Sequence, residues 1–441
     1  MFYALLFLIS TLAAEPYTTV TQWYKQTKDT GPLSTQTPLT TPDAFKIVLT
    51  QFIALQREQL LTRCWVDDTK VNFDDPMLKN ANYSQYMRPY VRKLTVGPAS
   101  MVYLWGDLHG DVRALSQSLY KLYQDNIITD DFVIIPPNSY FLFLGDMVDR
   151  GQHVVDLITL LLTFANNNRD RVVLLRGNHE DLEINSNAPY IQGKPHFHQQ
   201  LVNFVRAHGA DKFPHMLFNI IAHFYNMLPV AAFVGCNNEY IQCCHGGLEM
   251  RYDPTRLLED SCAQACQAIT QLVLPHTLRR DNTFMHLVEH LNMATAPLDL
   301  HEISPKNIGF LWNDFNAQNS HLSVHMYDRG LMVGRPLMEK MFNFYKTPQV
   351  AVKAVIRAHQ HNNSMPFLIK PINTGVFSLW NNQVFTTIGT SALLTDGVAF
   401  LELTTDVSFN KWRMKNYYLA NDETCWRMRE HDIVTWQNVL E

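Results

Sequence analysis

Five short apolar runs, each leading straight into residues that bind metals, constrain this chain more than any other feature. The runs are Val102–Trp105, Tyr140–Leu144, Val172–Leu175, Tyr240–Cys244 and Ala351–Ile356. Each is rich in β-branched and aromatic residues, which is typical of buried strands. In open α/β sheets, ligands collect just beyond the carboxyl ends of the strands. The pattern therefore predicts a sheet with a metal site assembled from several strand ends.

The segments that follow these runs combine glycine with aspartate, asparagine or histidine. They read GDLHG from Gly106, GDMVDRG from Gly145, RGNHE from Arg176, HGG from His245 and RAHQ from Arg357. Oxygen and imidazole ligands of these types suit Mn, Fe, Zn and Mg. A carboxylate that bridges two such ions, about 3.5–4 Å apart, gives a site that activates water and clamps oxygens around phosphorus. The set therefore indicates metal-assisted chemistry at phosphorus.

Taken in order, the five segments resemble the motifs of the phosphoprotein phosphatase family of metallophosphoesterases, the serine/threonine phosphatase type. That family's pattern is GDxHG, GDxVDRG, GNHE, HGG and a late RxH. LPVAA from Leu228, CCHGGL from Cys243 and LWND from Leu311 also resemble segments of the family. The resemblance covers residues from about Ala99 to Thr405. It implies an α/β metallophosphoesterase fold, a central β-sandwich of mixed sheets flanked by helices.

The resemblance also implies a role for each site residue. Two metal ions would be held by Asp107, His109, Asp146, Asn178, His245 and His359, with Asp146 bridging them. The ligand types do not distinguish among Mn, Fe and Zn. Arg150, Arg329 and Asn178 would contact the substrate phosphate, for which a guanidinium fork is well shaped. His179 would protonate the leaving alcohol, with Asp149 orienting its ring. The nucleophile would be a water molecule activated by the two metals.

Hydrolysis of phosphoserine and phosphothreonine monoesters in proteins is the function that this resemblance implies. The alternative is a phosphatase for phosphotyrosine or for a small phosphoester such as a dinucleoside polyphosphate. Residues 390–395 read TSALLT where the family carries a SAPNYC-like loop, so the usual tyrosine and cysteine are missing. The second class of function is a binding module without catalytic activity. Against this alternative, every predicted metal-ligand position and the position of the general acid carry the residue that the family pattern requires.

Four further features leave their roles open. Asp111 stands where many relatives carry glutamine, and it either strengthens metal binding or caps the following helix. Asp314 is either a partner behind the metal ligands or a turn residue. The stretches Asp181–His223 and Glu249–Ile308 look longer than is typical of the family, and both are expected beside the active-site face.

The chain divides into four parts. Residues 1–14 are predicted to be a signal peptide, 15–98 a linker and helical extension, 99–405 the catalytic domain with a helical insertion near 249–308, and 406–441 a C-terminal tail. Phe2–Ile9 is almost wholly apolar, too short to span a bilayer, and is followed by Ala13 and Ala14 at a position suited to cleavage. This favours the secretory pathway or an extracellular location; the alternative is a cytoplasmic protein whose N-terminus packs into the core.

Two helices are predicted outside the motifs. Thr41, Pro42 and Asp43 form a good helix start, and apolar spacing continues from Ala44 to about Leu61. Asp260–His290 also shows helical spacing and would form the bulk of the insertion.

Composition agrees with a folded enzyme of this size. The chain has 441 residues, 46% of them hydrophobic, which supports a large core. The net charge is −5 and there is no basic run, so nucleic acid is not an expected partner. The expected partner is a phosphoprotein substrate, with a regulatory subunit left open and no stable transmembrane span. Seven cysteines, an odd number, leave the pairing open.

Overall fold

The computed structural model describes most of the chain. The described residues are 17–33, 38–66, 89–187, 190–191, 194–208, 214–274, 298–299, 308–316, 322–324, 330–359, 375–379, 385–391, 393–394, 397–421 and 425–432. The predicted signal peptide and Arg329 therefore lie outside the described residues.

Helices and strands alternate along most of these residues. The helices are α1 (Val20–Thr27), α2 (Pro42–Thr62), α3 (Val112–Gln124), α4 (Val154–Asn167), α5 (Leu182–Asn187), α6 (Phe197–Ala207), α7 (Pro214–Asn226), α8 (Thr255–Glu259), α9 (Gly309–Trp312) and α10 (Arg335–Phe344), with a 3₁₀ turn at Phe409–Lys411. The strands are β1 (Cys64–Trp65), β2 (Tyr90–Thr95), β3 (Met101–Trp105), β4 (Ser139–Phe143), β5 (Val172–Leu174), β6 (Tyr190–Ile191), β7 (Lys194–Pro195), β8 (Ala231–Cys236), β9 (Glu239–Cys244), β10 (Gln264–Ala268), β11 (Gln271–Leu272), β12 (Leu298–Asp299), β13 (Asp314–Asn316), β14 (Leu322–Val324), β15 (Leu331–Gly334), β16 (Ala351–Arg357), β17 (Val376–Leu379), β18 (Phe385–Ile388), β19 (Gly397–Thr404), β20 (Arg413–Ala420) and β21 (Arg427–Asp432).

Two mixed sheets dominate the fold. One has six strands in the order β21-β20-β19-β3-β4-β5, in which β3, β4 and β5 are parallel and the others antiparallel. The other has eight strands in the order β1-β10-β2-β8-β9-β16-β18-β17, with parallel and antiparallel pairs interspersed. All five predicted strands, now β3, β4, β5, β9 and β16, are confirmed to within one residue at each end.

The two sheets pack face to face. Leu104 and Leu142 of the six-stranded sheet share one buried apolar cluster with Val234 and Ile356 of the eight-stranded sheet. A second cluster joins the outer face of the six-stranded sheet to α2, α3 and α4, and a third joins the eight-stranded sheet to α8, α9 and α10. The architecture is thus the predicted sandwich of mixed sheets flanked by helices.

The predicted helix start at Thr41 is confirmed. Its side chain accepts a hydrogen bond from the amide of Ala44 at 3.2 Å, and Pro42 is the first residue of α2. The threonine hydroxyl accepts the hydrogen of one free amide at the start of the helix, and proline has no amide hydrogen to satisfy. The first turn therefore leaves fewer donors without a partner.

Within the described residues, no helix combines the length and the apolar character that a membrane crossing requires.

The helix predicted over residues 260–290 is wrong for the part of it that the structure describes. Gln264–Ala268 forms β10 and Gln271–Leu272 forms β11, whereas helical residues in this region end at Glu259 in α8. The alanines and glutamines of β10 favour a helix locally, but pairing with β1 on one side and β2 on the other overrides that preference. The sheets also draw β1 and β2, as well as β20 and β21, from beyond the predicted catalytic range 99–405.

One disulfide joins the N-terminal extension to the region after α8. Cys64, in β1, is bonded to Cys262 across a sequence separation of 198 residues. A cross-link that closes so long a loop removes much of the chain's freedom in the unfolded state.

Replacing both bridged cysteines by alanine is expected to lower the free energy of unfolding by about 2–5 kcal/mol. Urea denaturation of the double variant against the parent protein measures this difference. Cys425→Ser, an exposed cysteine outside the bridge, is the matched control and is expected to change little. An unfolding midpoint that is the same for the double variant and the parent would contradict the prediction.

Candidate active site

The strand ends bring the predicted metal ligands into one buried cluster. Seven side chains form the cluster, and each is at most 6% exposed: Asp107, His109, Asp146, Asn178, His179, His245 and His359. The turns after β3 and β4 are bonded to each other, because the amides of Leu108 and His109 donate to the carbonyl of Asp146 at 3.1 and 2.8 Å. Every described member of the predicted metal set therefore lies at this one place.

Asp146 occupies the middle of the cluster. Its Oδ2 lies 3.2 Å from Nε2 of His245, 3.5 Å from Nε2 of His109 and 3.9 Å from Nε2 of His179. Its Oδ1 accepts the amide hydrogen of His179 at 2.9 Å. Burial would raise the pKa of Asp146, but His245, His179 and His109 around it hold the pKa well below its usual range. One ionised carboxylate thus faces histidines from three different strand ends.

Asn178 and two histidines converge on one side of Asp146. Asn178 Oδ1 lies 2.7 Å from His245 Nε2 and 2.9 Å from His359 Nδ1, and those two ring nitrogens are 3.1 Å apart. Asp107 lies close by, since its Oδ1 accepts the amide hydrogen of His359 at 3.0 Å. An amide oxygen and two imidazoles pointing at a common centre are suited to a transition-metal ion.

Two groups of donors share Asp146. In one, ligand atoms of His109, Asp146 and His179 lie within 4.8 Å of one another; in the other, so do those of Asp146, His245 and His359. The donor types and their spacing fit two cations on either side of a shared carboxylate. The first group includes His179 where the sequence predicted Asp107, and Asp107 Oδ2 lies 3.9 Å from His109 Nε2. The residues that could hold the ions are thus the predicted six, with His179 at the edge of the first group.

The ring of His179 is oriented from behind by Asp149. Its Nδ1 lies 2.8 Å from Asp149 Oδ2, and an ionised carboxylate can only accept, so Nδ1 carries the hydrogen. Burial alone would raise the pKa of Asp149, but contacts with His179 and His196 and the amide of Phe197 lower it to about 2. The other ring nitrogen, Nε2, therefore faces the metal ligands.

Arg150 reaches the same face of His179. Its Nη2 lies 3.2 Å from Nε2 of His179, and its side chain is only partly buried, unlike the ligands. A guanidinium at the mouth of such a cluster is suited to bind an anion with two hydrogen bonds. The second predicted phosphate ligand, Arg329, lies outside the described residues.

The backbone of these turns is left-handed at five residues. Positive φ angles occur at His109 (44°), Asp146 (52°), Asp149 (65°), Arg150 (66°) and His359 (64°). Left-handed backbone costs a non-glycine residue roughly 1–3 kcal/mol, so the surrounding contacts must compensate. The turns thereby aim side chains that an ordinary strand would direct elsewhere.

Glu180 holds two of the turns together, a role that the sequence did not indicate. Its Oε2 accepts the amide hydrogens of Asp146 and Gly177, each at 2.8 Å, and its Oε1 accepts those of Met147 at 2.8 Å and Val148 at 3.3 Å. Burial first and the charge of Asp146 second raise the pKa of Glu180 to about 7. The position of a glutamate directly after a ligand turn was the only available signal.

A buried ion pair resolves the two readings of Asp314. Arg357 Nη2 donates to Asp314 Oδ1 at 2.9 Å, and both side chains are buried. Asp314 Oδ1 is also 3.9 Å from Nε2 of His359. Asp314 is therefore a buried strand residue near the predicted ligand His359 rather than a turn residue, and its position is fixed by Arg357, to which the sequence assigned no role.

Asp111 takes the capping role, and residues of the 390–395 loop anchor the first motif. The Asp111 side chain accepts the Ala114 amide hydrogen at 3.0 Å and the Ser391 hydroxyl hydrogen at 3.0 Å. Thr390 Oγ1 accepts the amide hydrogen of Gly106 at 2.9 Å. The loop that departs from the family pattern is thus bonded to the turn that carries Asp107.

Gly177→Ala is expected to damage the site severely. A Cβ at Gly177 would lie 2.3 Å from both the amide nitrogen and Oδ1 of Asp146 and 2.7 Å from Glu180 Oε2. Because backbone cannot yield as a flexible side chain can, we expect about 2 kcal/mol or more of lost stability and a reduced metal content. Gly97→Ala is the matched control, since the nearest atom to its added Cβ would be 4.0 Å away. Denaturation together with metal analysis tests this, and equal behaviour of the two variants would contradict it.

The chain is similar to one known protein family and to several solved structures. A family model described as calcineurin-like phosphoesterase matches residues 101–363, more than half of the chain. Among solved structures, a protein serine/threonine phosphatase from Saccharomyces cerevisiae is 15% identical, with a TM-score of 0.48 over 88% of this chain and 89% of that chain. A cold-active protein-tyrosine phosphatase of a psychrophilic Shewanella species is also 15% identical, with a TM-score of 0.39 over 77% of this chain and 82% of that chain. At these values neither likeness bears on what the present chain acts on.

The family match begins at β3 and extends past His359, so it spans all five strand ends that carry the donors. The donors themselves form two groups around one carboxylate, as a two-metal phosphoesterase requires. This chain belongs to the calcineurin-like phosphoesterase family.

Proposed function

We propose that this chain is a metal-dependent protein phosphatase of the phosphoprotein phosphatase type, which hydrolyses phosphoserine and phosphothreonine monoesters. The observation that carries the proposal is Asp146 between two groups of histidines, with the His179–Asp149 pair and Arg150 beside it. The ordered motifs from Gly106 to Gln360 support the serine/threonine subfamily, in particular GNHE with Glu180 and the CCHGG string.

The residues proposed to hold the ions are those of the cluster. Asp107, His109 and Asp146 would hold the first ion, whereas Asp146, Asn178, His245 and His359 would hold the second. When bound, such ions activate a water molecule and stabilise charge on the phosphate oxygens. The identity of the ions among Mn, Fe and Zn is left to measurement, because these ligands accept all three.

The chain's own residues supply the remaining chemistry. Arg150, together with Asn178 and Arg329, would bind the phosphate oxygens and fix the ester bond relative to His179. As the bond from phosphorus to the leaving oxygen breaks, that oxygen takes the proton on His179 Nε2, and water supplies the oxygen gained by phosphorus. The proton that the water loses passes to solvent, and His179 takes up a proton from solvent before the next turnover. The products are an alcohol and inorganic phosphate. Asp149 stabilises the protonated ring before the transfer.

A second candidate is hydrolysis of phosphotyrosine or of a small phosphoester such as a dinucleoside polyphosphate. The observation that favours it is the 390–395 loop, which lacks the tyrosine and cysteine of the family pattern. Thr390 and Ser391 are buried in bonds to Gly106 and Asp111, so their side chains serve as anchors. Without that tyrosine, residues 390–395 carry smaller side chains than the family pattern does.

Phosphate release by the full chain with added Mn²⁺ separates these candidates. The substrates are peptides of one sequence carrying phosphoserine, phosphothreonine or phosphotyrosine, and a dinucleoside polyphosphate. Faster release from the serine and threonine peptides is the expected result. Release from phosphotyrosine or the small phosphoester alone would overturn the substrate class and keep the mechanism, and no release from any of them would favour a binding module.

We also propose that the protein enters the secretory route. The apolar run Phe2–Ile9, which lies outside the described residues, supports this as a signal sequence. The Cys64–Cys262 disulfide adds support, because such bonds persist mainly in oxidising compartments. Recovery of the chain from the culture medium with an N-terminus near Glu15 is expected, and an intact N-terminus in the cytosolic fraction would contradict it.

A further inference from the structure

Described residues of the stretch from Asp181 to His223 lie behind Asp149 and His179, which together form the acid pair. The stretch contains α5, α6 and most of α7, and the side chain of Asn185 and the backbone amide of Phe197 both donate hydrogen bonds to Asp149. The metal ligands and phosphate-binding residues come from other segments. The role of this stretch is therefore not accounted for by the proposed chemistry itself.

Asn185, in α5, contacts both members of the acid pair. Its Nδ2 donates one hydrogen to Asp149 Oδ2 at 2.8 Å and the other to the carbonyl of His179 at 2.9 Å. Asp149 follows β4 and His179 follows β5, so one amide group ties the side chain from one turn to the backbone of the other. Asn185 is 2% exposed, and these bonds form away from solvent.

Tyr225, in α7, fixes the orientation of that amide. Its hydroxyl donates to Asn185 Oδ1 at 2.8 Å, so the amide oxygen faces Tyr225 and the amide nitrogen faces Asp149. Burial first, and then the charges of Glu180 and Asp149, raise the pKa of Tyr225 well above its usual value, which keeps the hydroxyl a donor.

The other oxygen of Asp149 is held by the start of α6. The amide of Phe197 donates to Asp149 Oδ1 at 2.7 Å, and Nδ1 of His196 lies 3.7 Å from the same oxygen. Oδ2 receives hydrogens from His179 and Asn185. With both oxygens engaged, the carboxylate cannot rotate without breaking a buried hydrogen bond.

We propose that Asn185, oriented by Tyr225, is a positioning residue that holds Asp149 and His179 in register, so that His179 Nε2 meets the leaving oxygen. This inference rests on the proposed function and deepens it. Asn185 does not touch the substrate, and it acts only through the acid pair. Asn185 and Phe197, both from the Asp181–His223 stretch, thereby help to position the proton donor.

A positioning role differs from a packing role in its dependence on the leaving group. Proton transfer matters greatly when the leaving oxygen is an alkoxide, as in phosphoserine, and little when it is a stable nitrophenolate. Loss of Asn185 should therefore slow hydrolysis of the serine ester selectively. A general loosening of the fold would slow both reactions alike.

The test compares Asn185→Ala with the parent protein on a phosphoserine peptide and on p-nitrophenyl phosphate, with metal content measured in both. We expect kcat on the peptide to fall about 10–100-fold, as for other partners behind functional groups, with little change in KM or bound metal. On the nitrophenyl ester we expect a loss below about 3-fold. Tyr225→Phe keeps the ring, is expected to show the same pattern more weakly, and decides the question if Asn185→Ala does not fold.

The matched control is Asn168→Ala. Asn168 is also buried, at the end of α4 rather than after a strand, and its amide donates to the carbonyls of Phe132 and Phe164 at 2.6 and 2.8 Å. It is expected to lower stability without any leaving-group selectivity. The same Asn185→Ala change placed in a His179→Ala background is expected to have no further effect, because residues that act through one group are not additive.

Equal losses on the two substrates, or an undiminished loss in the His179→Ala background, would overturn the positioning role while leaving the proposed function standing. If the parent protein releases phosphate from neither substrate, the proposed function fails and this inference fails with it.

Discussion

Asp146→Asn is expected to lower kcat by at least about 10³-fold, because a metal pair contributes several kcal/mol of charge stabilisation and each 1.4 kcal/mol is tenfold in rate. The substitution keeps the size of the side chain and removes the charge that faces His109 and His245 at 3.5 and 3.2 Å. A neutral amide cannot bridge two cations as a carboxylate does. We therefore expect bound metal to fall from two ions per chain to one or fewer.

The measurement is kcat on a phosphoserine peptide together with metal analysis of the same preparation. Asp156→Asn is the matched control. Asp156 is also a buried carboxylate, but it lies in α4 rather than at a strand end, and it accepts the amide hydrogen of Thr40 at 3.0 Å. It is expected to retain both metal ions and most of the activity. Near-normal turnover of Asp146→Asn with two ions bound would show that the site assignment is wrong.

His179→Ala is expected to lower kcat on the same peptide by about 10²–10⁴-fold, which is the usual contribution of a general acid. The reason is geometric, since Asp149 holds Nδ1 at 2.8 Å and leaves Nε2 facing the cluster. If His179 is the acid and not a ligand, bound metal stays at two ions per chain. The loss should be much smaller on p-nitrophenyl phosphate, whose leaving group needs no proton.

His198→Ala is the control for this prediction. His198 lies in α6, is partly exposed and stacks on Phe218, so its loss should leave turnover unchanged. A fall in metal content in His179→Ala would contradict the acid assignment. It would instead place His179 with His109 and Asp146 as a ligand of the first ion, a position that its 3.9 Å distance from Asp146 allows.

The strands and the donor residues at their ends could be predicted from the sequence because each depends on residues that are close together along the chain. Each buried strand is a short apolar run, and each donor follows within a few residues of its end, as Asp107 does after β3 and Asn178 after β5. The parallel strands β3, β4 and β5 place their carboxyl ends at one edge of a sheet, which brings Asp107, Asp146 and Asn178 together. His245 and His359 follow strands of the other sheet, so their arrival at the same place depends on how the two sheets pack. The order of the motifs then identified the fold.

The supporting contacts were not predictable in this way, because their partners are distant in the sequence. Asn185 reaches back 36 residues to Asp149, and Arg357 is separated from Asp314 by 43 residues. No periodicity or motif links such pairs. The Cys64–Cys262 disulfide is harder still, with a separation of 198 residues among seven cysteines.

The failed helix at residues 260–274 has the same cause. Local composition favoured a helix there, but β10 gains its hydrogen bonds from β1 and β2, which come some 170 to 200 residues earlier along the chain. Tertiary pairing of this kind overrides a weak local preference.

The most direct test of the two-metal account is a titration of metal-free protein with Mn²⁺, in which bound metal and phosphate release from a phosphoserine peptide are followed together. The account predicts almost no release until Asp146 is shared by two ions, with activity rising as the second ion binds. Full turnover by the metal-free chain in excess chelator, or full turnover with a single ion bound, would contradict it.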